Sequence, residues 1–77
     1  MLNVDELILR SRTRRRLPEP PFGRLLRQGA HLSQDEIASA LGVTRSAVSR
    51  WESGHRTPRG ATLEEYIEIL DRLAASR

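Results

Sequence analysis

The chain has 77 residues, a formal net charge of +3 and no cysteine. That length allows one domain, which buries only about 60% of its unfolded surface and so needs a compact core; the absence of thiols excludes a disulfide framework and a thiolate metal site. No apolar run approaches the ~18 residues that cross a bilayer, and Leu7-Ile8-Leu9 is too short for the apolar region of a secretory signal, so a soluble, cytoplasmic protein is expected.

Charge is unevenly spread. Residues 1–17 carry five arginines against Asp5 and Glu6, residues 18–60 carry six against four acids, and residues 61–77 carry two against four. All 13 basic residues are arginine, which grips phosphate and guanine in bidentate fashion where lysine cannot. Genomic base composition explains such usage as well, and it carries more weight because the bias extends to positions without a ligand.

The first predicted helix is capped by Asn3, with Glu6 completing a capping box. Val4, Leu7 and Ile8 fall on one helical face, and the helix runs to about Ser11 or a little beyond. Arg12-Thr13-Arg14-Arg15-Arg16 then reads equally as a basic arm for phosphates or the minor groove and as a solvated linker. Residues 1–17 are thus a helix and basic arm, set apart from residues 18–77 by Pro18-Glu19-Pro20-Pro21. Proline suits a first helical turn, so a second helix starts near Pro20 or Pro21. It carries Phe22, Leu25 and Leu26 on one face and ends at Gly29, while His31 is a lone loop residue.

The stretch from Ser33 to Gly54 reads as two short helices around a tight turn. Ser33 and Glu36 form a capping box, with Leu32 and Ile37 as a hydrophobic staple. Gly42 supplies the left-handed residue that ends the first helix, and Thr44 caps the second. At 100° per residue Ala47, Val48 and Trp51 share the inner face of that second helix. Ser46, Ser49, Arg50 and Ser53 lie opposite, with Arg45 on the flank. A helix pair with a short glycine turn is the helix-turn-helix signature. Gly and Pro then mark a basic loop from His55 to Gly60. The last helix is predicted to begin at Thr62, with Glu65 completing a capping box. One stripe (Leu63, Ile67, Leu70, Ala74) packs inward; a second (Tyr66, Ile69, Leu73) needs cover from Val4, Leu7 and Ile8, in the same chain or in a partner.

The pattern Leu32-Ser33-Gln34, Ile37-Ala38, Leu41-Gly42-Val43-Thr44, Val48-Ser49, Trp51-Glu52 and Gly54 resembles the Cro/repressor-type (XRE-like) helix-turn-helix family, over Leu25 to about Leu73. The resemblance implies an all-α bundle of about five helices, here with an extra helix at the N-terminus. It implies a recognition helix over about 44–53 in the major groove of double-stranded DNA. By position, base readout falls on Arg45, Ser46, Ser49 and Arg50. Phosphate contacts fall on Ser33, Gln34 and Thr44 and on the loop residues His55, Arg56 and Arg59, and Arg27 is expected to pair with Glu52. Helix N-termini at Ser33 and Thr44 attract phosphate on physical grounds too.

The expected function is therefore sequence-specific DNA binding by a small, repressor-like transcriptional regulator. The family binds as a dimer on two half-sites, here through the last helix (Tyr66, Ile69, Leu73) or the N-terminal helix. The alternative is an antitoxin or adaptor acting through protein contacts. No nucleophile, paired carboxylates, metal-spaced ligands or glycine-rich phosphate loop points to catalysis, a cofactor, a metal or a small-molecule ligand.

Overall fold

Five helices follow one another in the computed structural model, which describes residues 2–76: α1 Val4–Arg15, α2 Pro20–Gly29, α3 Gln34–Leu41, α4 Arg45–Ser53 and α5 Gly60–Ala75. The fold is all-α, with no strand among the described residues. Local signals set the central pair. The Glu36 N–H donates to Ser33 Oγ at 3.0 Å and the Ser33 N–H to Glu36 Oε1 at 2.9 Å. The Ala47 N–H donates to Thr44 Oγ1 at 3.1 Å. Gly42 (φ 66°) and Gly54 (φ 80°) end α3 and α4 in the left-handed region, which costs glycine nothing.

Ile37 and Ala38 of α3, Val48 and Trp51 of α4, and Tyr66 and Leu70 of α5 form the core. The Trp51 and Tyr66 rings lie 5.0 Å apart at 47°, a tilted arrangement favoured by the ring quadrupoles. Burial, then the charge of Glu52, push the Tyr66 hydroxyl up to about 12.

Several sequence expectations are corrected by packing. Phe22 and Leu25 are each 55% exposed. The inward face of α2 is instead Gly23, with Leu26 and Arg27 half-buried beside it. A Cβ on Gly23 would lie 2.9 Å from Tyr66 Oη, so the bare glycine lets α2 approach α5 and sets the rotation of α2. Leu73 borders a cleft with Leu25, Leu26 and Gly29, Ile69 packs on the core and α2 packs on α5, so α2 covers the second stripe of α5. Val4, Leu7 and Ile8 do not cover it and remain exposed. Tyr66 is buried and unavailable for a dimer contact, whereas Ala74, expected inside, is exposed. Helix α5 starts two residues before Thr62, with Arg59 as N-cap and no side-chain cap bond. Buried Pro58 anchors the preceding loop, so the chain enters the helix directly after it.

Helix α1 also departs from expectation. It continues through Arg15, so Arg12, Arg14 and Arg15 are its last turn and Arg16 its C-cap. The arginine run is the last turn and cap of a helix, because arginine is a good helix former and cations suit a helix C-terminus. The helix packs on α5, with Ser11, Thr13 and the following Leu17 half-buried. Its Asn3 Oδ1 accepts from the Glu6 N–H at 2.8 Å, but the Glu6 carboxylate accepts from the Asn3 amide rather than from its backbone.

Candidate nucleic-acid interface

Val48 and Trp51, anchored in the core, turn the other side of α4 outward. Arg45, Ser46, Ser49, Arg50 and Ser53 are all exposed and share an arc of about 140°. The face is polar and shallow, with arginines at both margins. It lies between two grooves of different construction.

The first groove lies against the N-terminus of α3. Arg24 and Gln28 of α2, Ser33 and Gln34, and Arg45 and Ser49 of α4 line it. Its floor is an ion pair. Arg27 Nε donates to Glu52 Oε2 at 2.6 Å and Nη2 donates to Oε1 at 2.9 Å, while Nη1 donates to the Leu32 carbonyl at 2.9 Å. The two side chains are only 11% and 5% exposed. Burial alone would raise the Glu52 carboxyl, but hydrogen bonds from Arg27 and Gln34, with the Arg27 charge, hold it below the usual carboxylate range. The hydrogen bond to Glu52 raises Arg27 against its own desolvation.

Glu52 also orders the rim. Gln34 Nε2 donates to Glu52 Oε1 at 3.0 Å, and Arg45 Nε donates to Gln34 Oε1 at 3.4 Å. A chain of contacts thus runs from the buried pair to an exposed arginine. The Gln34 amide is held inward by Glu52, while the Gln34 and Asp35 backbone N–H groups at the start of α3 have no intrahelical acceptor.

The second groove runs along the opposite flank of α4. It is lined by Thr44 and Arg50, by His55, Arg56 and Arg59 of the loop, and by Arg14 of α1. No carboxylate lines it. Among the described residues, Arg14, Arg50, Arg56 and Arg59 form no salt bridge and no side-chain hydrogen bond. The His55 ring Nδ1 lies 2.7 Å from Ser53 Oγ. Arg12, Arg15 and Arg16 line neither groove; Arg16 instead approaches Asp71 at 3.6 Å across two exposed side chains.

Every residue singled out as a base or phosphate contact therefore lies on or beside one side of α4. Of the four arginines in the N-terminal run, only Arg14 joins them. Sequence reasoning missed Arg24 and Gln28. Their i, i+4 spacing puts them on one stripe of α2, but nothing in the sequence says that this stripe faces the α3 N-terminus and α4. Among the described residues no group of three or more His, Asp or Glu is placed to hold a metal ion, and no helix is long and apolar enough to cross a membrane.

A family profile described as "Helix-turn-helix" matches residues 24–73. Over 39 residues the chain is 44% identical to a protein of Enterococcus faecalis named HTH-type transcriptional activator BcrR. That match takes in 51% of this chain but 19% of the relative, so the chain spans a small part of the relative's length. No solved structure matches.

Proposed function

The chain belongs to the Cro/repressor-type helix-turn-helix family, and from that membership we propose that it binds double-stranded DNA sequence-specifically and regulates transcription. The observation that carries the reading is the exposed polar face of α4, bordered by a groove of unpaired arginines. In this reading α4 enters the major groove. Arg45 and Arg50 pair with guanine O6 and N7, and Ser46 and Ser49 donate to or accept from neighbouring base edges. Ser33, Gln34 and Thr44 hold phosphates at two helix N-termini, and His55, Arg56 and Arg59 hold the backbone beyond α4. Such contacts position the protein without reading sequence.

Two copies on half-sites about one helical turn apart would give the contact area that one small domain lacks. The exposed apolar side chains available to a second copy include Leu7 and Ile8 on α1 and Phe22 and Leu25 on α2. Occupancy of a promoter by this unit would repress transcription from the cytoplasmic nucleoid. The relative named as an activator has most of its length outside the match.

The deciding experiment selects bound duplexes from a random library and measures the stoichiometry of the complex. A palindromic consensus bound by two chains is the expected result. Arg45→Ala and Arg50→Ala should each cost about 1–3 kcal/mol and relax one position. Failure to enrich any sequence would sink the reading. The exposed Phe22 and Leu25 favour the alternative, an antitoxin or adaptor, and would then be its contact with a protein partner.

A further inference from the structure

We propose that α1 is part of the DNA-binding surface: it supplies Arg14 as a ligand for the DNA backbone, in a groove where that arginine is the only member of the N-terminal run. The inference rests on the DNA-binding reading above and extends the interface beyond the helix-turn-helix and its following loop.

Placement comes first. Thr13 and Leu17 are half-buried, Leu17 packs against the core, and Arg16 approaches Asp71 of α5. These contacts hold the C-terminal turn of α1 against α5. Arg14 borders a cleft with Arg59, Gly60 and Glu64 on one side, without an ion pair to that carboxylate, and lines the groove with Arg50 and Arg56 on the other. Between about 1.7 and 2.8 helical turns separate Arg14 from the exposed apolar residues Ile8, Leu7 and Val4, so the two ends of α1 have different chemistry.

Charge decides the occupant. Four guanidiniums share the groove with no carboxylate, and the hydroxyls of Thr44, Thr57 and Thr62 add donors. Among the described residues Arg16 meets Asp71, Arg27 meets Glu52 and Arg72 meets Glu68; Arg10, Arg12, Arg15, Arg24 and Arg45 form no ion pair either but lie outside this groove, so it is the gathering of four unpaired arginines that sets the groove apart. Uncompensated cations in one concavity repel one another, and physiological salt screens that repulsion only in part. An extended polyanion relieves it best. Duplex DNA offers a charge about every 1.7 Å along its axis, so a strand passing beside α4 presents phosphates to both Arg14 and the loop arginines. Helical geometry separates Arg14 from its neighbours, because Arg12 lies about 160° around α1 from it.

The test measures binding of the full chain to two mixed-sequence 30-base-pair duplexes by fluorescence anisotropy over a series of KCl concentrations. Arg14→Ala should lower the magnitude of the slope of log K against log[KCl] by about 0.9, the equivalent of one phosphate, and weaken both duplexes alike. Arg14→Lys should keep the slope. Arg12→Ala removes the same charge from the same helix and should leave the slope unchanged. Alanine is the best helix former, and circular dichroism should show unaltered helix content in each variant. An unchanged slope in Arg14→Ala, or equal losses in Arg14→Ala and Arg12→Ala, would overturn the inference while leaving the DNA-binding reading standing. Absence of wild-type binding to either duplex would overturn both.

Discussion

The two flanks of α4 use the same amino acid for opposite ends. On one flank Arg27 meets Glu52 in a nearly buried bidentate pair, joined by the Gln34 amide and the Leu32 carbonyl. On the other, Arg14, Arg50, Arg56 and Arg59 share a groove without a carboxylate. An arginine whose three nitrogens each donate to a protein acceptor, as in Arg27, ties helices together. An arginine left without an acceptor holds its charge and donors for something else. The contrast teaches that the role of an arginine here is set by whether an acid reaches it, not by its exposure alone: Arg16 and Arg72 are well exposed and still paired.

The paired flank is where the contrast should break most sharply. Glu52→Ala leaves Arg27 buried without its partner and should cost about 3 kcal/mol in urea denaturation at pH 7. The double variant Arg27→Met/Glu52→Leu should recover most of that loss, because well-packed apolar side chains often replace a buried ion pair without penalty. The same interaction has a pH signature. Because the folded Glu52 carboxyl sits below its unfolded value of about 4.3, its contribution is full above that value. It fades as pH falls through the folded one. Denaturation midpoints measured from pH 7 to pH 3 should fall less steeply in Glu52→Gln than in the wild type.

Gly23 gives the next largest effect, since it lies one turn before Arg27 on α2 and sets how closely that helix approaches Tyr66. Gly23→Ala should cost about 1–2 kcal/mol, the overpacking term exceeding the helix-propensity gain of about 1. In a Tyr66→Phe background, where the nearest obstructing atom is gone, the same change should be neutral or stabilising. The open flank gives the smallest effect. Arg56→Ala should change stability by less than about 0.5 kcal/mol. Adding salt should raise the melting temperature of the wild type more than that of Arg56→Ala, because screening relieves the repulsion in the groove. A large loss of stability in Arg56→Ala would show that the groove arginines are structural and remove the contrast.

The helices that carry their own punctuation were the legible ones. Ser33, Gly42, Thr44 and Gly54 act within a few residues of themselves, so the bounds of α3 and α4 follow from adjacent side chains. The start of α2 at Pro20 is legible for the same reason. Helix faces were less so. Phe22 and Leu25 have the spacing of an inward stripe, yet Gly23 took that place, because close approach to α5 rewards the smallest residue. Likewise Val4, Leu7 and Ile8 share a face that nothing among the described residues covers. His31 is a further case. It adopts φ 58° at the end of α2, where glycine is the common choice, and no local pattern in the sequence marks it.

For the binding surface the division is similar. The exposed face of α4 follows from the 3.6-residue period once Val48 and Trp51 are recognised as core, so the sequence by itself determined which residues of that helix look outward. It also determined the caps and turns that make a helix-turn-helix of residues 33–54, and the resemblance that rests on them. Only the tertiary structure decided that Arg14, and not its neighbours Arg12, Arg15 and Arg16, lines the groove beside Arg50 and Arg56, that Arg24 and Gln28 border the other, and that α2 rather than α1 covers the outer stripe of α5. The physical reason is range. Capping and periodicity act across three or four residues, whereas each of those placements depends on how far one helix is rotated and how closely it approaches another, which is settled by atoms distant in the chain.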